Sequence, residues 1–137
     1  MKSLDINNYL LSLNKNEELY RVYEEITKFS DEHYIPAVKF ETALFLRWLA
    51  LLKCPKKVLE IGFGSGASSV FIYKGLSHYE RFITLERDNN RYVRGKAVLR
   101  KLLVSGIDLL KIDAFKFFEE NRETFDFIFL NSVKREY

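Results

Sequence analysis

The spacing of hydrophobic residues changes part-way along the chain. In the first third the spacing is helical. Leu19, Val22, Tyr23 and Ile26 fall on one face of a helix that Asn16 is placed to cap, and His33-Tyr34-Ile35-Pro36 breaks it. A shorter helix is expected from Ser3 to Leu13. A third runs from about Val38 to Lys53, before Cys54-Pro55. It is apolar on most sides, which predicts cover on more than one. After Lys57 short apolar runs alternate with helical ones. Strands are predicted at Val58 to Ile61, Phe82 to Leu85, Ile107 to Ile112 and Phe125 to Leu130. Helices are predicted at Ala67 to Leu76, Asn89 to Val104 and Ala114 to Asn121. Asp88 suits the N-cap of the second of these, and Gly106 its stop. Strand-helix alternation at this spacing predicts βαβ units, hence a parallel, doubly wound α/β sheet with helices on both faces. A helical region, residues 1–53, precedes it.

Composition narrows the class. The chain has 137 residues, enough for one domain, with 47% hydrophobic and 30% charged residues. Two prolines and six glycines leave no low-complexity segment. A net charge of +3 permits an acidic partner without arguing for one. The single Cys54 cannot form an internal disulfide, which fits a reducing compartment. MKSLDINNYL lacks the apolar core of a secretory signal, and ALFLRWLALL is too short to span a bilayer, so a cytoplasmic location is expected. His33 and His78 have no ligand-spaced partner, so no zinc site is expected. Arg87, Arg91, Arg94 and Lys101 recur at helical spacing and read as a solvated face opposite Val93, Ala97 and Val104. No nucleic-acid module is present, so nucleic acid is not an expected partner.

The chemistry sits where strands end. In open α/β sheets ligands bind beyond the carboxyl ends of the strands. The first strand runs into Gly62-Phe63-Gly64-Ser65-Gly66, the second ends at Glu86, the third at Asp113 and the fourth at Asn131. Glycines let backbone approach a ligand closely, and the following helix presents free N–H groups. Glu86, 24 residues after Gly62, suits a ribose diol. Asp113 could accept from an exocyclic amine. With Ala67 in the last place, GFGSGA also satisfies the dinucleotide fingerprint, so a nicotinamide-dependent oxidoreductase stays open. Glu60, two residues before the first glycine, favours a ligand with a cationic amino group over a pyrophosphate.

The four segments VLEIGFGSGASS, ITLERD, KIDAFKFF and FDFIFLNSVKREY together resemble the class I S-adenosylmethionine-dependent methyltransferases, and among them the catechol and caffeoyl-coenzyme A type O-methyltransferases. The resemblance runs from about Tyr34 to Tyr137. It implies methyl transfer from S-adenosylmethionine to a hydroxyl of a small molecule. It places Glu60 and the loop Gly62, Phe63, Gly64 and Gly66 at the methionine end of the cofactor, with Ser68 at its carboxylate. Glu86 would take the ribose, and Asp113 and Ala114 the adenine. The segment around Pro36 to Thr42 would cross over the cofactor. The family's fourth strand commonly ends in aspartate, then lysine three and tyrosine six residues later. Here these positions are Asn131, Lys134 and Tyr137. The aspartate helps hold a divalent metal, so Asn131 becomes a candidate Mg²⁺ ligand, although an anionic ligand suits a hard cation better. Lys134 becomes the candidate base for the acceptor hydroxyl.

By that resemblance the strand order is 3-2-1-4, residues 54–137 form the cofactor-binding part, and the family's later strands are absent. Phe125, Phe127 and Phe129 are expected on one face of the fourth strand, with Asp126, Ile128 and Leu130 on the other. An apolar edge strand invites pairing, so a homodimer through that edge is expected. A cofactor-binding fragment without catalysis, or an interaction protein, is the competing function.

Overall fold

The computed structural model describes residues 17–132. Two helices lead, α1 (Glu17–Glu32) and α2 (Phe40–Lys53). The alternating part follows as β1 (Lys57–Ile61), α3 (Ala67–Gly75), β2 (Arg81–Glu86), α4 (Asn89–Lys101), β3 (Asp108–Lys111), α5 (Ala114–Glu120) and β4 (Phe127–Leu130). The four strands pair in parallel in the order β3-β2-β1-β4. This is the doubly wound arrangement expected, and β4 lies at an edge. The Ser3 to Leu13 helix, the Asn16 cap, Lys134 and Tyr137 lie outside the described residues.

Side-chain alternation assigns the two faces. Val58 on β1 and Phe82 on β2 meet Val70 and Ile72 of α3, Val98 of α4, and Leu46 and Ala50 of α2. Leu59, Ile61, Ile83 and Leu85 point the other way, onto Phe117 of α5. Glu60 shares its face with Val58, and the register sets it beside Thr84 and Phe129. A carboxylate is thus aimed at the first turn of α3.

Local chemistry explains most boundaries. Asp88 caps α4 by accepting from the Arg91 amide at 2.8 Å. Cys54, at φ 46°, closes α2 by donating its amide to the Ala50 carbonyl. Asp126 accepts from the Lys56 and Lys57 amides at 3.0 and 2.8 Å, fixing the start of β4 beside that of β1.

Four details differ from the sequence expectation. Leu103, at φ 56°, makes the turn after α4 rather than Gly106. Gly106 instead packs against the Tyr79 and Tyr73 rings and accepts the Tyr79 hydroxyl at 2.9 Å. On α4, Val93 and Ala97 are exposed while Val98 and Leu99 are buried, so the core stripe is rotated from the one the basic residues suggested. Phe125 packs near Phe117, whereas Phe127 and Phe129 pack on the opposite face, because Asp126 is spent on the Lys56–Lys57 clasp and the strand begins only at Phe127. The outer face of α2, with Phe45, Trp48 and Leu52, is exposed rather than covered. No helix among the described residues is long and apolar enough to cross a membrane.

Candidate functional site

A cleft of about 440 Å³ opens at the carboxyl ends of the strands. Gly62 and Gly64 form its wall beyond β1, Glu86 and Arg87 beyond β2, Asp113 and Ala114 beyond β3, and Asn131 and Ser132 beyond β4. Pro36, from the segment entering α2, closes one side. The topology alone delivers these residues to one place, since all four parallel strands end on the same edge of the sheet.

The glycine loop is built on positive φ. Gly62, Gly64 and Gly66 stand at φ 94°, 56° and 89°. Gly62 has a second requirement, because a Cβ there would run into the Asn131 carbonyl. The amides of Gly62 and Phe63 both donate to the Leu85 carbonyl at 3.0 Å, tying the loop to β2. Phe63 turns away from the cleft. Its ring is fully buried and fills the space beneath Gly66 and Gly95. Gly66 begins α3 without a side-chain cap.

Glu86 is almost completely buried yet lines the cleft. Its Oε2 accepts from the Gly64 amide at 3.1 Å and its Oε1 from the Asp88 amide at 3.0 Å. A carboxylate oxygen has about two acceptor sites. Both oxygens therefore keep capacity for a diol in the cleft. Asp113 caps α5 through the Phe115 amide at 2.9 Å, and its other oxygen lies 3.9 Å from an Arg87 guanidinium nitrogen.

Glu60 lies behind the loop and not in the lining. It is fully buried and accepts from Ser68 at 2.6 Å, from Thr84 at 2.8 Å and from Ser69. Burial pushes its carboxyl up to about 7, against the pull of the three hydroxyl donors; the nearby Glu86 charge adds to the rise. Ser68 in turn accepts from the Asn131 amide at 3.3 Å. A chain of polar contacts thus runs from Thr84 on β2 through Glu60 and Ser68 to Asn131 at the end of β4.

Of the residues expected to bind cofactor, Gly62, Gly64, Glu86, Asp113 and Ala114 meet at the cleft. Glu60, Phe63, Gly66 and Ser68 support it from behind. Arg87, Arg91, Leu85 and Ile112 also line it. The two arginines were visible in the sequence as part of the basic repeat, but nothing in their spacing separated the cleft-facing pair from the solvated ones.

Residues 12–137 match the O-methyltransferase family. The chain belongs to that family. Among curated proteins no relative matches. Among solved structures, the fold is similar to that of an O-methyltransferase from Bacillus cereus in complex with SAH, at 24% identity and TM-score 0.80. That likeness covers 96% of this chain and 62% of the other. A Klebsiella pneumoniae protein described as an O-methyltransferase matches at 27% identity and TM-score 0.76, over 93% of this chain and 59% of that one. The SAH-bound methyltransferase of Podospora anserina matches at 22% identity and TM-score 0.79, over 100% and 61%. The O-methyltransferase chain described here therefore spans less than two thirds of each of these.

The donor set near Asn131 does not fit a resident Mg²⁺. Asn131 offers one amide oxygen, and among the described residues no group of three His, Cys, Asp or Glu could hold a metal ion. A hard cation that keeps an octahedral oxygen shell is usually anchored by carboxylates.

Proposed function

We propose that this chain binds S-adenosylmethionine in the cleft and serves methyl transfer to a hydroxyl of a small molecule. The observation that carries this reading is the placement of Glu86. It is a buried carboxylate, held by the glycine loop and facing the cleft, at the strand end where a ribose diol would lie. Family membership and the SAH-bound relatives of the same fold support it.

When bound, S-adenosylmethionine would supply a sulfonium methyl carbon, to which an acceptor oxygen would bond in line as the C–S bond breaks and S-adenosylhomocysteine leaves. Glu86 accepts the ribose hydroxyls. Leu85 and Ile112 offer apolar contact to the base, and Asp113 accepts from its amine. Gly62 and Gly64 allow the backbone close approach at the methionine end. Ser68, held by Glu60 and Asn131, fixes the loop against the end of β4. Lys134, outside the described residues, belongs to this reading as the base that takes the hydroxyl proton. That role needs a lowered ammonium pKa. Much of the rate would come from positioning, as in any in-line displacement.

The test is transfer of a labelled methyl group from S-adenosylmethionine to small hydroxylated acceptors, with and without added Mg²⁺. Label in an acceptor, lost on Glu86→Ala, supports the reading. Binding without transfer to any acceptor leaves a cofactor-binding protein and overturns the catalytic part.

A further inference from the structure

Glu60, Ser68 and Asn131 form a chain of hydrogen bonds whose direction depends on one proton. Ser68 Oγ lies 2.6 Å from Glu60 Oε2, and Asn131 Nδ2 lies 3.3 Å from Ser68 Oγ. A serine has one hydrogen to give. With Glu60 ionised, that hydrogen goes to the carboxylate. Ser68 then only accepts, so the Asn131 NH2 group faces Ser68 and Asn131 Oδ1 faces away. Glu60 Oε1 already accepts from Ser69 and Thr84. A proton on Glu60 is therefore held by Oε2, against Ser68. It turns the chain round: Glu60 donates to Ser68, Ser68 donates to Asn131 Oδ1, and the NH2 group faces away. An amide fits its place equally well in either orientation, so its partners decide between them.

The backbone holds Asn131 where this matters. Its amide donates to the Ile61 carbonyl at 2.8 Å, and its own carbonyl stands where a Cβ on Gly62 would be. Asn131 lines the cleft beyond β4, and Ser68 is the one hydrogen-bond partner of its side chain among the described residues. A ligand with its base at Asp113 and its ribose at Glu86 brings its methionine end across the β1 loop to β4. The carboxylates of the lining stand at the other end. Asn131 and Ser132 are the polar side chains at this one, and neither carries a charge.

We propose that Asn131 Oδ1 receives the ammonium of the bound ligand, and that Glu60 acts through Ser68 as a positioning residue that turns Oδ1 toward the cleft or away from it. This rests on the reading that the cleft holds S-adenosylmethionine or SAH. The ionised chain offers the ammonium a carbonyl oxygen. The protonated chain offers it N–H groups, which repel it. Burial pushes the Glu60 carboxyl up to about 7, so the reversal falls near neutrality. The elements packed on Glu60 bring Ser68 and Ser69 from α3, Thr84 from β2 and Phe129 from β4, and the charge that acts on it is that of Glu86. Histidine is the other side chain that ordinarily changes charge in this range, and neither His33 nor His78 lines the cleft.

The experiment is calorimetric titration from about pH 5.5 to 8, with SAH and with 5′-methylthioadenosine, which has neither ammonium nor carboxylate. SAH affinity should rise about 10-fold through neutrality, the size of a hydrogen bond to a charged group. Methylthioadenosine affinity should stay level. Loss of the ligand's own ammonium proton would have the opposite sign. In Glu60→Gln the new carbonyl stays with Ser69 and Thr84 and the new NH2 group faces Ser68, which fixes the protonated arrangement. That variant should bind SAH weakly and without a pH step. Ser68→Ala breaks the chain and should also abolish the step, while still binding methylthioadenosine. SAH affinity that is level with pH in the wild type overturns the proposal. So does a step that persists in Ser68→Ala, or one that methylthioadenosine shows equally. Failure of both ligands to bind at any pH overturns the reading of the cleft, and this proposal with it.

Discussion

The Glu86 carboxylate accepts the Gly64 amide at 3.1 Å, so the end of β2 holds the glycine loop that leaves β1. One side chain shapes the wall of the cleft and faces into it. Glu86→Ala removes both functions. Hydrogen bonds to a charged group contribute about 1.5–3 kcal/mol, so SAH should bind roughly 10- to 100-fold more weakly. Calorimetric titration of wild type and variant measures this, with circular dichroism confirming the fold.

Gly62 and Gly64 should respond differently to alanine. Gly64 has φ 56° and its nearest obstacle, the Pro36 carbonyl, is 3.7 Å from an added Cβ. The left-handed conformation alone then costs about 1–2 kcal/mol. At Gly62, with φ 94°, the Cβ also meets the Asn131 backbone and lies 3.3 Å from the Ser132 Cα. Gly62→Ala should therefore show the lower urea midpoint of the two.

Glu60 predicts a pH dependence of stability. Its carboxyl is pushed up to about 7 from 4.5 by burial, with the Ser68, Ser69 and Thr84 hydroxyls opposing. Between those values the folded chain keeps a proton that the unfolded chain releases. The contribution is fully present below pH 4.5 and is lost as pH rises through about 7. It amounts to at most about 3 kcal/mol. Glu60→Gln cannot titrate. The stability of wild type relative to this variant should fall between pH 5 and 7.5 and then level off, as read by urea unfolding at each pH.

Asp126 predicts the opposite sign. The Lys56 amide holds its carboxyl below the usual carboxylate range against desolvation, with help from the Lys57 amide. That contribution is present above the ordinary carboxylate pKa and is lost as pH falls through the lowered value. The group is exposed, so Asp126→Ala should cost only about 1 kcal/mol at neutral pH and less in acid. Hydrogen exchange should show the loosening first in β4, the strand this clasp attaches.

The parallel sheet is readable because the change from helical to alternating spacing after Lys57 leaves little but βαβ units, and the site because four polar residues stand at four strand ends; the strand order follows only from the resemblance to the methyltransferases. The direction of each side chain is not readable. Glu60 looks like a ligand residue by its distance from Gly62, but strand alternation turns it toward α3, where the Ser68 and Ser69 hydroxyls receive it together with that of Thr84 on β2. Phe63 lies between two loop glycines, yet serves the core. Asp113 stands at a strand end as a ligand residue would, and is also the cap of α5. Arg87 and Arg91 share one helical spacing with Arg94 and Lys101, and only the end of β2, for Arg87, and the packed position of α4, for Arg91, separate the pair that lines the cleft.

The central claim is that this cleft holds S-adenosylmethionine, and calorimetric titration of the folded chain tests it most directly, with NAD as the control ligand. The account predicts saturable one-to-one binding of S-adenosylmethionine or SAH, weakened by Glu86→Ala, and none of NAD. No binding by a folded protein, or binding of NAD alone, would contradict it.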